Sequence, residues 1–62
     1  MKKEEYREIA EKMIEHYEAA VQLMDDELRE EIHAELAPCS DIDFLTEYIK
    51  RHYEKYGEVF SV

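Results

Sequence analysis

Residues 35–60 read ELAPCSDIDFLTEYIKRHYEKYGEVF and hold the only proline, the only cysteine and the only glycine of the chain: Pro38, Cys39 and Gly57. Pro38 ends the helical sequence before it, because the residue preceding a proline avoids the helical region. Ser40, with Asp43 three positions on, reads as a capping box that opens a new helix. Gly57 stops that helix, since glycine enters the left-handed conformation of a helix end without steric cost. Asp41, Asp43 and Glu47 lie at its start and Lys50, Arg51 and Lys55 toward its end, the order that the helix dipole favours. Ile42, Leu45, Tyr48, Ile49, His52, Tyr53 and Tyr56 form its apolar stripe, with Phe44 to one side. A helix over about 41–56 is expected.

Upstream, Tyr6, Ile9, Ala10, Met13, Tyr17, Ala20, Val21 and Met24 recur at intervals of three and four, which predicts a first helix over about 4–23 with one buried stripe. Its other face carries Glu8, Lys12, Glu15 and Glu18, with Glu8 and Lys12 in the favourable i, i+4 order. Leu28, Ile32 and Leu36 continue without an intervening glycine or proline, so two readings compete. In one, Asp25 or Asp26 caps a second helix over about 26–37, whose acidic first turn suits a helix N-terminus. In the other, a single helix runs from about Glu4 to Ala37, roughly 50 Å at the usual rise, and needs a second chain to cover its stripe. The break is the expected outcome. The fold class is then all-α: a small three-helix bundle, one domain over 1–62, ending in the apolar tail Val59, Phe60 and Val62, which is expected to pack across the bundle or onto a partner.

At 62 residues a chain buries only about 60% of the surface that its unfolded form exposes, so a homodimer is expected to supplement the core. The formal net charge is -9, which argues against direct binding of nucleic acid or an anionic membrane. It leaves two explanations, solubility or a partner with a basic surface. Residues 1–38 hold 12 acidic and 5 basic side chains, net -7, and residues 39–62 hold 5 and 3, net -2. Acidic mimicry would therefore live on the first two helices. A lone Cys39 makes no intramolecular disulfide and reads as a half-buried filler of the turn. With a charged start and no apolar run of spanning length, a cytoplasmic protein is expected.

Candidate chemistry is sparse. Glu30 and His33 form a Glu-x-x-His, the pair that di-metal bundles use twice, but neither His16 nor His52 has a glutamate three residues before it. His33, Glu35, Pro38 and Cys39 imitate part of a zinc-deaminase string; the second cysteine is missing, and two residues alone separate Glu35 from Pro38. His52 reads as a satisfied, partly buried histidine. Ser40 is better explained as a cap than as a nucleophile, and no glycine-rich turn cradles a phosphate. No catalytic, cofactor-binding or metal-binding residue is assigned. Tyrosine is a preferred interface anchor. Tyr6, Tyr56 and Phe60, near the chain ends where a small bundle has less to cover them, are the aromatic candidates for a partner surface.

The stretch Glu35-Leu36-Ala37-Pro38-Cys39-Ser40-Asp41, followed by Phe44-Leu45, Tyr48, His52 and Lys55-Tyr56-Gly57-Glu58, resembles a group of short acidic proteins encoded in phages and integrated elements of Gram-positive gut bacteria. The resemblance implies a setting, since mobile-element proteins of this size and charge are often inhibitors of host defence, including anti-CRISPR and anti-restriction proteins. It carries over no functional residue. The expected function is an acidic inhibitor that occupies a basic groove, with Glu27, Glu30, Glu31, Tyr6, Tyr56 and Phe60 as partner-binding candidates; the face Glu4, Glu8, Glu11, Glu15 and Glu18 could add its charge. A homo-oligomeric assembly module and, more remotely, a metal-binding bundle built on Glu30 and His33 are the alternatives.

Overall fold

The computed structural model describes residues 2–61; Met1 and Val62 of the expected tail lie outside the described residues. Four α-helical segments succeed one another: α1 (Lys3–Met13), α2 (Tyr17–Leu23), α3 (Asp26–Leu36) and α4 (Asp41–Tyr56). Segments α1 and α2 are one helix in the sequence pattern, interrupted by a 3₁₀ turn at Ile14–His16, so the architecture is a three-helix bundle whose first helix is bent. No strand occurs among the described residues. The expected break at Met24 to Asp26 is present, and the single long helix is not. Asp25 is extended (φ -62, ψ 122), and its carboxylate accepts the N–H groups of Glu27 at 2.9 Å and Leu28 at 3.4 Å. Those are two of the four donors that every helix start leaves unpaired.

The interruption of the first helix departs from the expected unbroken run. Ile14, Glu15 and His16 include neither glycine nor proline, so local chemistry does not announce it. His16 leaves the helical region (φ -114, ψ 34). A 3₁₀ turn advances roughly 120° per residue against 100° in an α-helix, so three such residues rotate α2 by about 60° relative to α1. Tyr6, Ala10 and Met13 are buried before the turn and Ala20 and Met24 after it, while Ile9, Tyr17 and Val21 are half-buried. Segment α1 packs along α4; α2 makes little contact with it.

The core lies where α1 and α3 meet α4. Ile32, Leu45, Tyr48 and Ile49 are its largest fully buried side chains, and each fully buried aliphatic among them is worth about 1.5–3 kcal/mol. The Ser40 hydroxyl accepts the Asp43 N–H at 3.3 Å. Only this half of the expected capping box is present, and the Asp43 carboxylate meets Arg7 at 3.4 Å instead. At the other end Gly57 adopts φ 71 and its N–H donates to the Tyr53 carbonyl at 2.8 Å. This left-handed turn sends the chain back, so that Phe60 lies edge-on to Tyr48 with ring centres 4.8 Å apart. His52 Nδ1–H donates to the Glu58 carbonyl at 2.9 Å and holds the returning chain in place.

Candidate functional site

The charged side chains divide into those paired within the scaffold and those outside any ion pair among the described residues. Asp25 belongs to the first group. Besides capping α3, its carboxylate accepts Lys55 Nζ at 3.2 Å and the Tyr56 hydroxyl, while its own backbone N–H donates to the Tyr48 hydroxyl at 2.7 Å. One residue thus ties the α2–α3 turn to three side chains of α4. The Tyr56 hydrogen bond, together with the Lys55 bond and the two backbone N–H groups, outweighs partial burial and holds the Asp25 carboxyl down at about 2. Arg51 does the same at the other end of α3. Its guanidinium donates to Glu35 at 2.6 Å and Glu47 at 2.9 Å, which raises its own affinity for the proton and lowers that of Glu35. Arg7 meets Glu11 at 3.5 Å as well as Asp43, and Arg29 meets Asp26 at 2.9 Å. Every arginine of the chain is therefore neutralised within it.

The second group is mostly acidic, although Lys2, Lys3, Lys12 and Lys50 are exposed and also outside any ion pair among the described residues. Glu30 and Glu31 are exposed on α3, with no lysine or arginine nitrogen within 4.0 Å among the described residues; Glu27, also exposed, lies 3.8 Å from Lys55. On the first helix Glu4, Glu8, Glu15 and Glu18 are exposed and likewise unpaired among the described residues, while Glu11 is taken by Arg7. Glu8 and Lys12, in favourable order by sequence, do not form an ion pair here.

The aromatic candidates fare differently. Tyr6 and Phe60 are only 6% and 7% exposed, which corrects the expectation that chain ends leave them uncovered. Tyr6 packs edge-on to Tyr53 at 6.3 Å because α1 lies along α4, and the turn at Gly57 carries Phe60 onto Tyr48 and His52. Tyr56 is 48% exposed, so its ring is open to a partner although its hydroxyl is committed to Asp25. Leu23, at 63%, and Val59, at 41%, are the other prominent exposed apolar side chains near the ends of these helices. Cys39 is exposed, not half-buried.

Sequence reasoning did not find the groove beside the second part of the first helix. A recess of about 530 Å³ lies between α2, α3 and the start of α4, with Tyr17, Val21, Ala37, Pro38 and Phe44 as its apolar surface. Glu30, His33 and Asp41 stand along its rim, with Cys39 and the already paired Arg29. Half-burial of Tyr17 is a signal only once the turn before it is known, since the helical stripe alone assigns it to the core. Among the described residues no three histidine, cysteine, aspartate or glutamate side chains are grouped as a metal ion would need, and Glu30 with His33 stays an isolated pair. Among the described residues no helix is long and apolar enough to cross a membrane.

A helical scaffold that pairs its arginines internally and turns carboxylates outward makes this a small acidic all-α protein. The family model of anti-CRISPR protein AcrIC5 matches residues 7–60, and the chain belongs to that family. No curated protein and no solved structure gives a match.

Proposed function

We propose that this chain, carried by a phage or an integrated element, inhibits a CRISPR defence in the cytoplasm of the bacterial host by occupying a basic groove of the effector complex that otherwise holds nucleic acid. Family membership supports the inhibitory role. The observation that carries the mechanism is the excess of unpaired negative charge: all three arginines are paired inside the molecule, while Glu4, Glu8, Glu15, Glu18, Glu30 and Glu31 are exposed outside any ion pair among the described residues and outnumber the unpaired Lys2, Lys3, Lys12 and Lys50. CRISPR effectors hold their guide–target duplex in a positively charged channel, so such a surface meets its electrostatic complement there. Glu4 to Glu18 spans roughly 20 Å at the helical rise, a length over which duplex DNA carries roughly 12 phosphates. The first helix alone replaces only part of that charge. Glu27, Glu30 and Glu31, exposed on α3, supply further negative charge. The chain binds and excludes, and no catalytic group is assigned to it.

The test is competition between this protein and labelled target duplex for a purified CRISPR effector complex, at low and high salt. Displacement of the duplex that weakens with salt, and is lost in the variant Glu27→Lys/Glu30→Lys/Glu31→Lys, is the expected result. Inhibition that survives this charge reversal and is indifferent to salt would overturn the mechanism.

A second reading has one observation in its favour. Leu23, Tyr56 and Val59 are large and exposed, and a homodimer through them would cover apolar surface that one chain leaves wet. Sedimentation over a range of concentrations decides it: a single monomeric species throughout removes the dimer.

A further inference from the structure

The groove between α2, α3 and the start of α4 shares Glu30 with the acidic α3 face, but its apolar lining is built from residues that the charge argument does not use. Its surface is apolar and is assembled from residues distant in sequence: Tyr17 and Val21 from α2, Ala37 and Pro38 from the α3–α4 connection, and Phe44 from α4. None of the described residues fills it. At about 530 Å³ it falls in the size range of sites that enclose a small ligand, which suits one or two side chains of a partner rather than a whole helix.

The rim selects the charge of the occupant. Glu30 and Asp41 have no lysine or arginine nitrogen within 4.0 Å among the described residues, and the nearby Arg29 is already bound by Asp26 at 2.9 Å. An anion entering the groove would face two unpaired carboxylates; a cation would relieve them. The Tyr17 hydroxyl makes no hydrogen bond among the described residues, and burial first, then Asp41 and Cys39, push the phenol above the ordinary tyrosine range. It remains a donor and acceptor for an incoming polar group. A second recess, lined by Lys3, Arg7 and Asp43 among others, has Arg7 and Asp43 already paired with each other and offers no such preference.

We propose that this groove receives a segment of the protein partner in which a bulky apolar side chain adjoins a lysine or arginine, the apolar group lying on Tyr17, Val21 and Phe44 and the cation meeting Glu30 and Asp41. The proposal deepens the reading above and rests on its basic protein partner, but it assigns to the groove an apolar anchor that charge mimicry lacks. Interfaces draw most of their affinity from a few such buried anchors, while exposed charges contribute mainly to encounter.

Two measurements test it separately from the inhibitory mechanism. In the first, isotope-labelled protein is titrated with phenylbutylammonium and, in parallel, with phenylbutyrate, which keeps the apolar body and reverses the charge. Amide shifts confined to residues around Tyr17, Val21, His33 and Phe44, and at least tenfold weaker binding of the carboxylate, are expected. Equal response to both ligands, or shifts elsewhere only, overturns the proposal. In the second, Ala37→Arg, at an exposed position, places bulk and positive charge in the groove. It should weaken binding to the effector complex at least tenfold, with most of the loss persisting at high salt, and Val21→Ser should do so in the same direction by a smaller factor. Unchanged affinity in both variants, with an unchanged helical spectrum, overturns the groove while leaving the inhibitory mechanism standing. Failure of the native protein to bind any effector, with the ammonium probe still seated in the groove, removes the mechanism and leaves the groove.

Discussion

The backbone N–H of Asp25 donates to the Tyr48 hydroxyl at 2.7 Å, so the turn that ends the first helix is fastened to the most buried tyrosine of α4. The phenol does two things at once, filling the core with its ring and satisfying a backbone donor at this turn that the α3 cap does not address. Tyr48→Phe keeps the ring and deletes the acceptor. Leaving a partly buried N–H without a partner costs about 1–3 kcal/mol, a large share of the stability of a chain this short. We expect urea unfolding to shift to a lower midpoint with an unchanged slope, and Tyr56→Phe to shift it less, because the Asp25 carboxylate keeps Lys55 and both cap donors.

Acid should release the same junction. The folded Asp25 carboxyl sits at about 2, below the value of about 3.9 for an unfolded aspartate. A depressed folded pKa gives stability that is complete above the unfolded value and is lost as pH falls toward the folded one. The window therefore runs from about pH 4 down to about pH 2. Asp25→Asn retains a good cap residue but loses the charge that Lys55 and Tyr56 address, so thermal melts across this window should show a shallower acid loss for the variant. A remainder should persist, because Arg51 lowers the Glu35 carboxyl in the same direction. Identical pH profiles for the two proteins would show that the junction does not depend on the Asp25 charge.

The returning tail gives a third expectation. Phe60 is 7% exposed against Tyr48 and His52, and truncating a buried phenylalanine costs about 3–5 kcal/mol. Phe60→Ala should leave a chain of this size mostly unfolded at room temperature, and Phe60→Leu should remain folded with a lower melting point. Gly57→Ala meets no neighbouring atom, yet its φ of 71 is one that alanine adopts only with strain; about 1–2 kcal/mol is expected. If Phe60→Ala melts like the parent protein, the tail does not belong to the core.

How much of this is legible in the sequence depends on the range over which each signal acts. The bounds of α4 are readable because Ser40 and Gly57 act locally, through a hydroxyl one turn from the donor it accepts and through a backbone angle. The break at Asp25 is readable for the same reason, as a side chain that caps the residues just after it. The other half of the role of Asp25 is not, because Lys55 and Tyr56 reach it from 30 and 31 positions away. The bend at Ile14–His16 is hidden too: no glycine or proline marks it, and the pattern of apolar residues hardly changes across it. The groove is assembled from α2, the α3–α4 connection and α4, residues distant in sequence, so the candidate site is less legible than the fold. Proximity to a chain end suggests exposure for Tyr6 and Phe60, whereas the pairing of α1 with α4 and the turn at Gly57 bury both.

Cys39 faces solvent in the connection between α3 and α4. Native protein should react with a thiol reagent to one equivalent without denaturant. Cys39→Ser should change stability by no more than about 0.5 kcal/mol, as for exposed positions that touch no special feature. Protection of the thiol in the free protein would mean that this connection is covered.

Charge reversal should separate folding from binding. Glu30 and Glu31 have no ion-pair partner among the described residues, whereas Glu47 holds Arg51 at 2.9 Å. Glu30→Lys/Glu31→Lys removes like-charge repulsion and breaks no ion pair, so its melting point should equal or exceed that of the parent. Glu47→Lys should lower it. Toward the effector complex the order inverts. Losing exposed carboxylates weakens electrostatic steering, which raises association rates by about 10 to 10³ when intact, so the double variant should associate at least tenfold more slowly at low salt. Its dissociation rate should change less, because exposed charges act chiefly on encounter. At high salt the two association rates should converge, since the Debye length falls to about 3 Å at 1 M. A double variant that associates as fast as the parent at low salt would assign the acidic α3 face to solubility and would also remove Glu30 from the cation contact proposed for the groove.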